Sequence, residues 1–325
     1  MSEKILEIKD ERLSFFTPAG EVKALNGVSF SMNQGDVLGI VGESGSGKSV
    51  TAYSIMGLTA YPGRLVGGTV WFNGHQIDKM TEKEFRKIRG NEVSIIFQDP
   101  MTSLNPTQTV GDQILEVLNL HFPEMTREEK NKRVDEMMTL VGIPPQRKKS
   151  FPHEFSGGMK QRVVIAMALV AEPELLLADE PTTALDVTIQ AQILELMKQL
   201  REKFNTSVML ITHDLGVVAQ FCDSVSVVYA GRVVEYGPVE IVFQRKENHP
   251  YTAGLFNCIP NLHDDQPRLH PIAGHMADPR VEYKGCCFAD RCEYATERCR
   301  TEAPSMHVCG EHGILCHRYA EKEEF

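Results

Sequence analysis

The chain has 325 residues, of which 42% are hydrophobic and 24% are charged, a balance typical of a globular protein with a substantial core. Its formal net charge of −10 argues against a nucleic-acid-binding body. No stretch approaches the roughly 20 apolar residues that a transmembrane helix requires, and the segment from Met1 has no apolar signal sequence. We therefore expect a cytoplasmic protein that reaches a membrane only through a partner.

The first part of the chain predicts strands that lead into a phosphate-binding loop. Residues 5–41 predict two or three strands, the last at Val37–Val41, and a helix should run from Lys48 to about Gly57. Between the last strand and the helix, the sequence reads Gly42-Glu43-Ser44-Gly45-Ser46-Gly47-Lys48-Ser49. Its small residues let backbone N–H groups surround phosphates, its lysine supplies charge for the β- and γ-phosphates, and its last hydroxyl can hold Mg²⁺. The loop predicts a nucleoside triphosphate with magnesium as the ligand.

The middle of the chain alternates predicted strands and helices. Gly63, Gly67 and Gly68 predict a loop, and the turn Asn73-Gly74 is expected to close the strand that follows this loop. The remaining patterns predict, in chain order, a strand at 69–72, a strand at 93–98, mostly helix at 109–142, a helix at 157–171, a strand at 175–178, a helix at 187–204, a strand at 207–212 and a hairpin of strands 225–229 and 232–236. Such alternation implies an α/β fold with a parallel sheet covered by helices.

Two acidic residues, Asp179 and Glu180, follow the apolar run 175–178. An aspartate at the tip of a buried parallel strand can ligate Mg²⁺, directly or through water. The adjacent glutamate can polarise a water for attack on the γ-phosphate. Acidic residues also suit a helix N-terminus electrostatically, so the pair alone is ambiguous. The phosphate-binding loop earlier in the chain favours the catalytic interpretation.

The segment Phe155-Ser156-Gly157-Gly158-Met159-Lys160-Gln161 predicts a second loop at a helix start, where Ser156 is the N-cap and the glycines allow close backbone approach to an anion. With Arg162 and an apolar helix after it, this run resembles the signature loop of ATP-binding cassette (ABC) proteins. Four further features resemble parts of that family: Gln98 its lid-loop glutamine, Ala184-Leu185-Asp186 its dimer-contacting D-loop, His213 its switch histidine, and Phe15, or failing that Phe16, the aromatic that stacks on adenine.

The resemblance implies the α/β fold of a P-loop NTPase, an ABC nucleotide-binding domain with a mixed sheet core. We expect this domain at 1–245, with a helical subdomain at about 99–172. In this family two cassettes face each other head to tail, and the Ser156, Gly157 and Gly158 loop of one completes the ATP site of the other. The resemblance assigns Glu180, His213 and Gln98 to catalysis, Ser49, Gln98 and Asp179 to Mg²⁺, and Asp186 to the nucleotide interface.

Three segments narrow the resemblance further. Asp99–Pro106, the stretch Glu180–Gln192 and His249-Pro250-Tyr251-Thr252 resemble the ATP-binding subunits of bacterial oligopeptide, dipeptide and nickel importers, and most of all their D-type subunit. This implies ATP hydrolysis that drives peptide import at the cytoplasmic face of the membrane. Its partners would be a paralogous ATPase subunit or a second copy, two integral membrane permeases and, indirectly, an extracellular substrate-binding protein, with no nucleic acid. Nickel–chelate or glutathione as cargo stays open, and a soluble cassette acting on DNA or ribosomes is the remote alternative.

Beyond residue 245 the composition changes. Five prolines and little periodicity predict a linker or irregular arm as far as residue 283, and the extension 246–325 is expected to form a small irregular cysteine-rich domain. Six of the eight cysteines lie between Cys286 and Cys316, a clustering that a cytosolic chain rarely uses for disulfides.

In the importer family, such a tail resembles a site for a [4Fe–4S] cluster, and the matching ligands here are Cys286, Cys292, Cys299 and Cys316. The chain departs from the pattern at Cys287, where proline is usual, and in the additional Cys309; either could substitute as a ligand. Zinc is the main alternative, because Cys₄ or Cys₃His sites suit it and His317 adjoins Cys316. The remaining alternative is that all six thiols are unligated.

Overall fold

The structure is a computed structural model that describes residues 4–183, 185–244, 246–258 and 271–320. The chain divides into two units. The first comprises Met1–Ile5, Asn33–Val37 and Lys79–Ile211; the second comprises Leu6–Met32, Leu38–Asp78 and Thr212–Phe325. The domain boundary expected near residue 245 stays a prediction.

The strands and helices of the described residues follow the predicted alternation. The strands are Lys4–Thr17 (β1), Gly20–Asn33 (β2), Val37–Val41 (β3), Gly63–Phe72 (β4), His75–Gln76 (β5), Val93–Ile96 (β6), Leu175–Asp179 (β7), Ser207–Thr212 (β8), Ser224–Tyr229 (β9), Arg232–Pro238 (β10), Met306–Cys309 (β11) and His312–Leu315 (β12). The α-helices are Lys48–Ile55 (α1), Glu82–Ile88 (α2), Pro100–Ser103 (α3), Val110–His121 (α4), Arg127–Leu140 (α5), Gly157–Leu169 (α6), Val187–Phe204 (α7), Leu215–Phe221 (α8), Val239–Phe243 (α9), Pro250–Asn257 (α10) and Glu297–Thr301 (α11). Within the described part of the chain, no helix combines the length and apolar character needed to cross a membrane.

In the first unit, a parallel sheet lies beside helices. Strands β6 and β8 each pair with β7 in parallel register, with Val93 and Ser207 both opposite Leu175. Every residue of β7 and β8 is buried, as expected for parallel strands covered on both faces, and helix α6 packs against β6 and α7. The predicted parallel sheet is therefore confirmed in this unit.

The second unit contains two sets of strands. One is an antiparallel sheet in the order β2-β1-β4-β5; the other runs β11-β12-β10-β9-β3, with β3 parallel to β9 and the rest antiparallel. The mixed strand directions agree with the expected mixed sheet. The hydrophobic core of this unit includes the buried aromatic side chains of Tyr229, Tyr251 and Phe288, together with aliphatic side chains of β9 and β10.

The loop predicted at Gly63, Gly67 and Gly68 is wrong, because β4 already begins at Gly63 and pairs with β1. The register of the two strands shifts at Arg12, opposite Gly67, which marks a β-bulge. A Cβ on Gly68 would lie 2.4 Å from the carbonyl oxygen of Asp10. The glycine is there because two backbones approach closely inside a sheet, not because the chain turns.

The irregular arm predicted at 246–283 is also wrong in part, because helix α10 occupies Pro250–Asn257. Its start carries a recognisable signal: proline stands at the first helical position, and the His249 ring accepts a hydrogen bond from the Tyr251 backbone N–H at 3.1 Å. Helix α8, at Leu215–Phe221, was likewise absent from the prediction. Residues 259–270 of the predicted arm lie outside the described residues.

Candidate nucleotide site and cysteine cavity

The predicted phosphate-binding loop lies between β3 and α1, and its backbone conformation requires glycine. Gly42 and Gly47 have φ values of 157° and 106°. A Cβ on Gly42 would lie 2.2 Å from the carbonyl oxygen of Val228, and one on Gly47 would lie 2.7 Å from that of Ala24. Larger residues would therefore force the loop away from the strands that support it.

Within this loop, Lys48 is only 6% exposed. Its ammonium group donates hydrogen bonds to the carbonyl oxygens of Gly42 at 2.7 Å and Glu43 at 2.9 Å. The Ser46 hydroxyl is buried and has no hydrogen-bond partner among the described residues, while Ser49 is half-buried. The loop thus presents a cation and a buried hydroxyl, together with the backbone N–H groups at the start of α1, a set that suits a phosphate anion.

The aromatic residues assigned to adenine differ in exposure. Phe15 is half-buried, while Phe16 is 45% exposed with the guanidinium of Arg64 at 5.9 Å from its ring centroid. Both lie on β1 in the second unit, and the assignment of Phe15 to adenine stays a prediction.

In the first unit, the acidic pair meets the predicted lid-loop glutamine. Asp179 is the fully buried last residue of β7, and Glu180 follows it with a φ of 46°. The Glu180 Oε2 atom accepts hydrogen bonds from Gln98 Nε2 and from Thr183 Oγ1, both at 2.9 Å. The structure therefore brings together two of the residues that the resemblance assigns to catalysis, Gln98 and Glu180, across 82 positions of sequence.

The other loop residues of the first unit have structural roles of their own. Ser156 and Asp186 are the N-caps of α6 and α7, accepting from the Met159 and Ile189 backbone N–H groups at 3.4 and 2.9 Å. A Cβ on Gly158 would lie 2.7 Å from the Ile189 side chain, so glycine lets the two helix starts approach. Ser156 and Gly157 are exposed, as is His213 in the second unit. Their roles across a dimer interface stay predictions.

Two residues that contact the phosphate-binding loop were missed at the sequence level. The Tyr251 hydroxyl accepts a hydrogen bond from the Glu43 backbone N–H at 2.7 Å. The Arg291 guanidinium donates to both carboxylate oxygens of Glu43, at 2.6 and 3.0 Å. These partners lie 208 and 248 positions from Glu43, so no local pattern could reveal them. The sequence drew attention to Tyr251 only through the segment His249-Pro250-Tyr251-Thr252, which resembles the importer family.

Four of the cysteines line one small cavity, which we call the cysteine cavity. They are Cys286, Cys292, Cys299 and Cys316, the four predicted ligands. Burial, and secondarily Cys287, Cys316 and Cys299, raises the pKa of Cys286 to about 12. None of the eight cysteines, all of which lie in the described ranges, forms a disulfide bond.

The other two tail cysteines lie elsewhere. Cys287 is close enough to Arg232 for its charge to act on the thiol, although burial dominates and raises the Cys287 pKa. Cys309 ends β11, opposite His312. In the described ranges, no three His, Cys, Asp or Glu side chains converge as they would on a single metal ion.

Comparison with known proteins gives matches along most of the chain. Residues 25–183 match the family model described as ABC transporter, and residues 234–299 match the one described as oligopeptide/dipeptide transporter, C-terminal region. The chain is 50% identical over 302 residues to the oligopeptide transport ATP-binding protein OppD of Salmonella typhimurium, covering 92% of this chain and 89% of that protein. It is 48% identical over 318 residues to the dipeptide transport ATP-binding protein DppD of Bacillus subtilis, covering 97% and 94%.

A solved structure agrees with these relatives. The ATP-binding cassette MJ0796, in a dimeric post-hydrolysis state with ADP and phosphate, superposes with a TM-score of 0.65 at 28% identity, over 72% of this chain and 98% of that one. The match confirms the expected cassette fold, while the expected cysteine-rich C-terminal domain stays a prediction. The chain therefore belongs to the ABC transporter family, among the oligopeptide and dipeptide transport ATP-binding proteins.

Proposed function

We propose that this chain is the ATP-hydrolysing subunit of a bacterial importer for di- and oligopeptides. It is an ABC ATPase, for which ATP and Mg²⁺ are the expected ligands. The observation that supports the peptide cargo is that the similarity continues past the cassette into the peptide-transporter C-terminal region at 234–299. Relatives named for oligopeptide or dipeptide transport share about half of their residues with it.

The side chains suit the steps of ATP hydrolysis. Lys48 supplies the positive charge that the β- and γ-phosphates need, and Ser49, Gln98 and Asp179 are the proposed Mg²⁺ ligands. Glu180 acts as the base that polarises the attacking water, and its hydrogen bonds from Gln98 and Thr183 fix the direction of its carboxylate. The proposed roles of Phe15, Ser156, Gly157, Gly158, Asp186 and His213 follow the same family arrangement.

The partners follow from the same proposal. The chain pairs with a paralogous ATPase subunit or with a second copy, so that the Ser156 loop of each closes on the ATP of the other. Two integral membrane permeases hold it at the cytoplasmic face of the membrane, and an extracellular binding protein selects the cargo. Closure by ATP and opening after hydrolysis form a two-state equilibrium biased by the ligand.

Reconstitution tests the cargo. We expect proteoliposomes with the chain, its neighbouring ATPase and permease gene products and the binding protein to accumulate labelled tri- and tetrapeptides only when they contain ATP. Nickel–chelate and glutathione, assayed identically, serve as competing cargoes. Uptake of either in place of peptide would reject the peptide assignment.

We also propose a [4Fe–4S] cluster in the cysteine cavity. All four cysteines line the cysteine cavity, and four cysteine thiolates are the usual ligand set of a [4Fe–4S] cluster, with a Cys₄ zinc site as the alternative. The cluster would stabilise the short elements of this tail, and Cys286, Cys292, Cys299 and Cys316 would supply its ligands. The thiols must lose their protons on binding, against the burial that raises the pKa of Cys286.

Anaerobic purification tests the cluster. We expect absorbance near about 400 nm from sulfur-to-iron charge transfer, with iron and acid-labile sulfide in equal amounts. The C299S variant should lose both, whereas C309S, changed outside the cavity, should keep them. A colourless protein with stoichiometric zinc, or equal loss of iron in the two variants, would overturn the assignment.

A further inference from the structure

We propose that Arg291 and Tyr251 are positioning residues for the ATPase reaction, because together they fix Glu43 and so hold the phosphate-binding loop from the C-terminal segment of the same chain. We call these three residues the loop clamp. The proposal rests on the ATPase activity of the family and is independent of the cargo.

The Arg291 side chain is buried and donates hydrogen bonds to three residues. It is 4% exposed, and its two terminal nitrogens donate to the two Glu43 oxygens at 2.6 and 3.0 Å. Its Nε also donates to the Ala273 carbonyl at 3.0 Å, and a terminal nitrogen donates to the Ile272 carbonyl at 3.3 Å. A two-pronged ion pair with a buried arginine holds one geometry, unlike a solvent-exposed pair.

Tyr251 holds the backbone of the same loop residue. Its side chain is fully buried, and its hydroxyl accepts from the Glu43 N–H at 2.7 Å. The Tyr251 ring packs against Tyr229 and Phe288, with centroid distances of 4.7 and 5.5 Å. Main chain and side chain of Glu43 are therefore both held by residues from the last quarter of the chain.

Through Glu43, the clamp also contacts Lys48, the lysine proposed to bind the phosphates. The Glu43 carbonyl that accepts from Lys48 Nζ belongs to the residue that Arg291 and Tyr251 hold. When nucleotide binds, the ammonium has to exchange the carbonyls of Gly42 and Glu43 for phosphate oxygens. A loop already held in one conformation loses less entropy in this step than a loose one, so the clamp favours binding.

This argument predicts a specific kinetic signature. Arg291 bonds to Glu43 and not to the residues assigned to hydrolysis, so its loss should act on affinity more than on chemistry. We expect R291Q to raise the Kd for a fluorescent ATP analogue and the KM for ATP by about tenfold, with kcat changed less than about twofold. Y251F, which removes only the hydroxyl, should raise both about threefold.

The experiment uses the full chain for binding and the complex with its partners for turnover. R280Q is the matched control, because Arg280 lies in the same segment but pairs with Asp278 at the surface. Circular dichroism and thermal melting confirm folding; if R291Q fails to fold, Y251F decides alone. Unchanged Kd and KM in folded variants, or an equal change in R280Q, would reject the clamp.

A double-mutant cycle separates positioning from plain electrostatic attraction. If the clamp acts through its two-pronged geometry, E43Q, R291Q and E43Q/R291Q should raise Kd by similar factors, because each breaks the same pair. R291K should then bind ATP no more tightly than R291Q, because lysine cannot form the two-pronged pair. If Arg291 instead attracts phosphate by charge alone, R291K would retain the affinity and E43Q would tighten binding. That second pattern would contradict the proposal.

Discussion

Replacing Glu180 with glutamine will abolish ATP turnover while nucleotide binding persists. The amide oxygen of glutamine can still accept the hydrogen bonds that Gln98 and Thr183 donate at 2.9 Å, so the local geometry should survive. The amide cannot take up a proton from water, and loss of a general base typically costs about 10²- to 10⁴-fold in rate. Phosphate release at saturating Mg²⁺–ATP measures the fall in kcat.

In the proposed dimer, ATP bridges two cassettes until it is hydrolysed, so the same variant should accumulate in the closed state. Size-exclusion chromatography with Mg²⁺–ATP should shift E180Q, with its partner subunit, to a stable ATP-bound dimer. E195Q is the matched control, since Glu195 is an exposed carboxylate on α7 of the same unit, bonded only to Gln199 among the contacts described. Turnover of E180Q within about twofold of the unmodified chain would exclude Glu180 as the base.

Elements with complete local signals could be predicted to the residue. Helix α7 was predicted at 187–204 and is found there, because Asp186 caps its start and Asn205, with a φ of 51°, ends it in the left-handed conformation. Strand β8 was likewise predicted at 207–212, as an apolar run that is entirely buried. Local residues alone determine these boundaries, so a single sequence contains the information.

The wrong predictions arise where contacts with a distant part of the chain determine the conformation of a residue. Gly68 was predicted to lie in a loop. Glycine is required there because the backbone of Asp10, on another strand, approaches it closely. Helix α10 was missed because its buried side chains, such as Phe256, pack into a core built from other elements, which its short sequence does not reveal. Periodicity over eight residues gives too weak a signal against the surrounding prolines.

The candidate site divides in the same way. The phosphate-binding loop and the acidic pair are contiguous in sequence and were readable, whereas the Glu43 contacts of Tyr251 and Arg291 were not. The choice of four cysteines among six needed the resemblance, since spacing alone left Cys287 and Cys309 open. The four cysteines that the resemblance named all line one cavity. Their assignment as ligands of one metal centre stays a prediction.

Replacing Lys48 with alanine will weaken nucleotide binding more than any other single change in the loop. A hydrogen-bonded charge in a buried position contributes about 1.5–3 kcal/mol, so Kd should rise about 10- to 150-fold. The variant also leaves the carbonyls of Gly42 and Glu43 without the donor that now lies at 2.7 and 2.9 Å. Equilibrium titration of a fluorescent ATP analogue measures the effect, and adenosine titrated in parallel should show little change, because it lacks the phosphates. K284A controls for loss of a positive charge, since Lys284 is exposed in the same unit. If K48A binds ATP as tightly as K284A does, the lysine does not bind the phosphates, and the assignment of residues 42–49 to nucleotide fails with it.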